Sequence, residues 1–343
     1  MAIAPIWKDY TVQLTAASRA FRIELDYYGS GNVIYEGRSI ARPGDAVASV
    51  RVNEVCWDWL KNTLPTLSLA DFTALTFPLN FVIEEQDPDY GSWDPVASVE
   101  FYGDWSYDDG YDPVTMGMNA PITERLDPRQ YVFATVINAP SITAVLTMAD
   151  ATQLTITRAI SALPDFSNDF NNDFARSVRS AGSGTLALDL GQFPDVAAVD
   201  IGLNHWDIVR DCRHRYALAY TNAYGGWDTL LMEGQPHGSL GIDRKVSGEP
   251  YDNGTFDRGQ RNRVNVLAPT LTLRTGLLTD EQSELMHHLV ASTEVWLQDM
   301  ERGTFLPVIV TDTALDIQSR RSNGGRLCRY DVNVQLAQER ERR

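Results

Sequence analysis

At 343 residues and a formal net charge of −17, the chain is long enough for two or three domains. It is too acidic for general affinity to nucleic acid or anionic membranes, which need clustered Lys and Arg. Hydrophobic residues at 43% and charged residues at 22% give the balance of a globular protein rather than a disordered one. Three widely spaced cysteines, Cys56, Cys212 and Cys328, offer no disulfide framework, so synthesis in a reducing cytosol is expected. The N-terminal MAIAPIWKDYTVQL lacks the basic and apolar segments of a signal peptide, and no apolar run approaches the ~20 residues of a membrane-spanning helix.

Residues 1–115 read as a β-sandwich-like domain. Phe21-Arg22-Ile23-Glu24-Leu25 alternates apolar and polar, the period of a half-buried strand. Turn chemistry at 28–32 leads to a second strand from Val33 to Ile40, and Arg42-Pro43-Gly44-Asp45 makes the next turn. A short helix is expected at 54–60, with further strands at 77–83 and 98–102. A second sandwich-like domain, 116–205, holds β-prone runs at 131–137, 141–146, 153–157 and 185–190, and an irregular aromatic loop at 164–174. In the third part, 206–343, apolar runs at 216–220 and 227–232 flank Asn222-Ala223-Tyr224-Gly225-Gly226, with Tyr224, Gly225, Gly226 and Trp227 as the turn residues. Paired glycines supply positive φ there and predict a hairpin turn.

Residues 234–263 are polar and glycine-rich and predict a long loop or interaction arm. A strand from Val264 follows, then a helix over 279–291. Thr279 is its expected N-cap, with Gln282 at capping-box spacing, and Asp280 and Glu281 lie at the positive end of the helix dipole. Strands at 294–300, 305–321 and 326–338 complete the chain, joined by turns at 301–303 and 322–325. The expected fold is therefore mostly β: two sandwich-like domains, then a β module carrying one packed helix.

Chemistry is sparse. The acidic runs 84–89 and 104–112 lack the spacing of a calcium-binding EF-hand loop. His205, Cys212 and His214 lack zinc spacing, and His287 and His288 are adjacent rather than four apart. Gly182-Ser183-Gly184 has the wrong spacing for a nucleophile elbow, and no phosphate-binding glycine loop is present. No metal, cofactor or catalytic residue is expected. Loop aromatics, Trp105, Tyr107 and Trp227, are candidates for stacking on sugar rings, against the ordinary role of plugging corners.

The segments FRIELDYYGSGNVIYEGRSIARPG, YGGWD with LLMEG, and GLLTDEQSE through PVIVTD resemble, in this order, tail-region proteins of phages and prophages of Bacteroidetes hosts. The order strand, helix, strands in the last quarter resembles distal-tail (Dit-like) and tail-tube modules. The resemblance implies a virion structural protein of the tail tip or hub, not an enzyme, made in the bacterial cytoplasm. It implies partners among the tube, tape-measure and tip or receptor-binding proteins, and self-association into a closed ring with six copies as the expected count. Arg244, Lys245, Arg258, Arg261 and Arg263, on an otherwise acidic chain, mark 234–263 as the candidate intersubunit arm. The alternatives are a tail-associated carbohydrate-binding protein and, behind it, a polysaccharide-degrading enzyme using the acidic loops.

Overall fold

The computed structural model describes residues 2–5, 9–27, 30–53, 55–56, 67–74, 80–102, 118–160, 182–210, 215–248, 260–312, 315–317, 319, 323–324, 326–337 and 340–342. The chain is mostly β, built of largely antiparallel sheets with one complete α-helix among the described residues. That helix is not long and apolar enough to cross a membrane.

The first region contains β1 (Ala2–Pro5), β2 (Thr11–Gln13), β3 (Ser18–Tyr27), β4 (Ser30–Ile40), β5 (Ser49–Arg51), β6 (Phe72–Ala74), β7 (Asn80–Gln86) and β8 (Trp93–Tyr102). Five of these make a sheet in the order β1-β8-β7-β3-β4, and β2 pairs with β5 in a short ribbon. The alternation read in β3 is realised: Phe21, Ile23 and Leu25 are buried and pack with Phe81, Ile83, Val99 and Phe101. The ribbon closes this face with Val12, Leu14, Val50 and Val52. Each such side chain contributes roughly 1.5–3 kcal/mol on leaving water. Asn53, Val55 and Cys56 are helical, and the rest of the helix expected at 54–60 lies outside the described residues. So do Trp105, Tyr107, the acidic run 104–112 and the loop 164–174.

The second region adds β9 (Arg125–Leu126), β10 (Tyr131–Ala139), β11 (Ser141–Met148), β12 (Gln153–Ala159), β13 (Gly182–Asp189), β14 (Val196–Ile201) and β15 (Asn204–Ile208). A five-stranded sheet, β12-β11-β14-β15-β9, and a three-stranded sheet, β10-β13-β6, enclose one core that includes Leu146, Leu186, Val199 and Trp206. Strand pairing crosses both expected boundaries. β6, from the first region, pairs with β13, so a division near 115 separates a strand from its sheet. β15 spans the division at 205/206, and its Trp206 is buried in the second region's core, because the strand pairs with β14 and Trp206 shares a sheet face with its cross-strand neighbour Val199.

The third region is one eight-stranded sheet. Its strands are β16 (Tyr216–Thr221), β17 (Trp227–Met232), β18 (His237–Gly248), β19 (Gln260–Arg274), β20 (Val295–Asp299), β21 (Thr304–Val310), β22 (Asp331–Leu336) and β23 (Arg340–Arg342). They run β17-β16-β20-β21-β22-β19-β18, with β23 beside β19. The helix α1 (Asp280–Val290) carries the predicted capping box: Thr279 Oγ1 accepts from Gln282 N at 3.2 Å, and Gln282 Oε1 accepts from Thr279 N at 3.0 Å. Its Met286 and Leu289 pack on one sheet face with Leu218, Leu297, Val308 and Val334. The opposite face meets the second region through Phe133, Ala187, Ala219 and Trp227.

The long loop expected at 234–263 is instead a hairpin. β18 and β19 pair from His237↔Thr272 to Gly248↔Gln260, and residues 249–259 lie outside the described set. The strand expected over 305–321 ends at Val310.

Candidate functional site

The predicted turn at 222–227 is the most densely bonded point of the described chain. Gly225 takes φ +82°, the left-handed conformation that glycine adopts without strain. Gly226 is required for space: a Cβ there would stand 2.4 Å from Met118 O. Asn222 holds the turn from within, accepting from Tyr224 N and Gly226 N at 3.0 Å each and donating through Nδ2 to Met118 O and Asp228 Oδ2 at 2.6 Å each. Asn119, 109 residues from Asp228 in sequence, donates to Asp228 Oδ1 (2.8 Å), Trp227 O (2.7 Å) and Phe133 O (3.1 Å), and Ala120 N donates to Asp228 Oδ2 (2.9 Å). Asp228 is buried. Desolvation pushes its carboxyl up to about 6, against the opposing pull of its Asn222, Asn119 and Ala120 donors.

Helix α1 reaches the same turn. Ala223 N donates to His288 Nδ1 at 3.1 Å, and the Tyr224 and His288 rings lie 5.3 Å apart. Burial, with a smaller contribution from the charge of His287, pushes His288 down to about 3, so it is a neutral acceptor at physiological pH. Trp227 N donates to Thr135 Oγ1 at 3.2 Å. Together with the Asn119 bond to Trp227 O, this satisfies both backbone groups that β17 presents at its outer edge there. Sequence reading identified the turn but missed Asn119, Thr135, Asp228 and His288. Each is a residue type common in turns and caps, and nothing local marks it as buried.

The other edge of the sheet is different. Among the described residues β18 pairs only with β19, so its outer edge has no strand beside it. Leu240 and Ile242 are 54% and 45% exposed, and lie across from Pro269 and Leu267 on the face that, further along, packs against α1. Of the candidate arm residues, Arg244 and Lys245 stand on β18 opposite Asn265 and Val264. Arg261 is on β19 opposite Ser247, Arg263 falls at the register shift between Lys245 and Val246, and Arg258 lies outside the described residues.

The remaining candidates resolve into structure. Trp227 is 1% exposed, so its assignment to sugar stacking is corrected: the ring plugs the contact with Phe133. In the acidic run 84–89, Glu84 pairs with Arg22 at 2.5 Å, Glu85 accepts from Thr15, and Asp87 caps its own turn. Among the described residues no group of three His, Cys, Asp or Glu is placed to hold a metal ion. His205 sits between Asp200 (2.6 Å) and Asp207 (3.4 Å) at the surface, where the Asp200 hydrogen bond leads in raising its pKa. Cys56 and Cys328 are buried free thiols, and burial pushes Cys56 up. One surface cavity of about 430 Å³ opens between the β11–β12 turn and residues 192–195, lined by Met148, Asp150, Phe193, Pro194 and Asp195 among others. Comparison with protein-family models, curated proteins and solved structures found no match.

Proposed function

We propose that this protein is a structural component of a bacteriophage tail tip, a hub subunit that closes into a ring and links the tail tube to the tip or receptor-binding proteins. The observation that carries the reading is the β18–β19 hairpin. It is a long two-stranded arm whose outer edge has no strand beside it among the described residues, with exposed Leu240 and Ile242 on the sheet face continuous with the helix core. Long, apolar edge strands are ordinarily shortened, charged or covered, because they template pairing with another chain. An edge left open on a well-packed sheet suits a protein that meets its neighbour there, and the sequence resemblance supplies the setting. Native mass measurement of the purified chain, alone and with tube and tape-measure proteins, tests it. A closed oligomer that is lost when 241–268, the part of the hairpin beyond the β19–β22 pairing, is replaced by a short turn is the expected result. A strict monomer that binds neither partner overturns the proposal.

A second reading, a tail-associated carbohydrate-binding protein, is favoured by the cavity beside Phe193, where an aromatic and Met148 lie next to Asp150 and Asp195. Apolar surface with a few polar groups is the make-up of small-ligand sites. Glycan-array binding that disappears in Phe193→Ala would move the function there.

A further inference from the structure

Charge is unevenly laid out along this chain. No Lys, Arg or His stands between Lys61 and Arg125, where the sequence holds twelve Asp and Glu. The β7–β8 hairpin lies in that stretch, and its turn is at the surface. Tyr90 is 86% exposed there, with exposed Asp89 and Asp94 on either side of it in sequence. Asp87 accepts from the backbone N–H groups of Asp89 and Tyr90 and so fixes the turn.

The arm end of the eight-stranded sheet has the opposite character. β18 pairs with β19 at Ile242↔Leu267 and Arg244↔Asn265, and β23 pairs with the same two β19 residues from the other side, at Leu267↔Arg340 and Asn265↔Arg342. Directly paired residues share a sheet face, and alternation along β18 keeps Leu240, Ile242 and Arg244 on one face. That face therefore carries exposed Leu240 and Ile242 in register with Arg244, Arg340 and Arg342. The acidic residues of the same rows, Asp243 and Glu341, both pair with Val266 and fall on the other face. In these rows the charged residues that share the apolar face are all arginines.

We infer that this face receives the β7–β8 turn of a second copy of the chain, Tyr90 seating against Leu240 and Ile242 while Asp89 and Asp94 meet Arg244, Arg340 and Arg342. The contact deepens, and rests on, the ring-forming reading given above. An apolar centre with a charged rim is the ordinary make-up of a protein interface, and a tyrosine is among its commonest anchors. Electrostatics selects the partner surface. Arm laid against arm would set arginine against arginine, and like charges across an interface are strongly disfavoured. The β17 edge is already bonded to Asn119 and Thr135 at Trp227. The acidic turn belongs to a different sheet, so the contact is heterologous: each copy gives its turn to one neighbour and its arm to the next, the arrangement that generates a ring.

Charge reversal on the full chain tests this, with self-association read by sedimentation, alone and with tube and tape-measure proteins. Arg244→Glu with Arg340→Glu, and separately Asp89→Lys with Asp94→Lys, should each weaken self-association by at least about tenfold, because each change moves both contact surfaces towards one sign. Mixed one to one, the two variants should associate again, since each then offers the charge that the other lacks. Association untouched by either change, or lost in both and not restored on mixing, overturns this contact and leaves a ring built on other surfaces. A chain that is monomeric in every condition overturns the contact and the ring together. Should a variant not fold, the wild type decides. Its association should weaken about tenfold between roughly 0.05 and 0.5 M salt, and a salt-independent association ends the proposal.

Discussion

The two edges of the eight-stranded sheet are treated in opposite ways. At β17 the edge is sealed: Asn119 takes the outward carbonyl of Trp227, Thr135 takes its N–H, and Met118 lies against Gly226 with no room for a side chain. At β18 no strand lies beside the edge among the described residues, and Leu240 and Ile242 are exposed. One sheet thus has a side held by contacts within the chain and a side that, among the described residues, has neither a partner strand nor cover for Leu240 and Ile242. The lesson is that exposure at β18 is not a general looseness of the sheet, because the same sheet has its other edge bonded to Asn119 and Thr135 at Trp227.

That contrast can be broken by mutation, and the largest effect belongs to the sealed edge. Asn222→Ala removes four hydrogen bonds and strands the donors of Tyr224 and Gly226 and one acceptor each on Met118 and Asp228. It should cost about 3–5 kcal/mol in chemical denaturation. A loss under about 1 kcal/mol would mean that the cluster is solvated in solution. Gly226→Ala pushes a methyl group into the Met118 backbone and should cost roughly 1–3 kcal/mol, with the damage confined to the β17 side. At the exposed edge, the double change Leu240→Asp and Ile242→Asp should cost roughly 1–2 kcal/mol of monomer stability, because each side chain is only about half buried. It should also abolish self-association in sedimentation. Unchanged association would move the joint away from β18. Thr279→Ala unmakes the capping box and should cost about 1 kcal/mol, lowering the melting temperature without touching either edge.

What sequence showed follows the same division between local and distant causes. The capping box of α1, the glycine turn at 225–226 and the alternation in Phe21–Leu25 rest on residues a few positions apart, and each was legible. The β18–β19 hairpin was not, because HGSLGIDRKVSG and QRNRVN hold too few apolar residues to write a strong period of two. Only Leu240 and Ile242, two apart, hint at the strand. The Asn119–Asp228 pair was invisible for another reason: its partners lie 109 residues apart, and each alone reads as turn chemistry. Trp227 was misjudged as a loop aromatic because its glycine neighbours signal a turn, and a turn is ordinarily exposed. Here segment 118–120 lies over it.

The strand Phe72–Ala74 has a consequence for how the chain is made. It supplies the third strand of β10-β13-β6, and Phe72 lies against Gly184, where even a Cβ would meet its ring. During synthesis that strand emerges about 110 residues before its partner, so the second core cannot be completed until the ribosome has passed β13 and the earlier segment has waited unpaired. Cutting the chain near 115 would leave β13 with a bare edge and an empty slot at Gly184, and the remainder should aggregate rather than behave as a trimmed protein. The N-terminal third is thus part of how its neighbour folds.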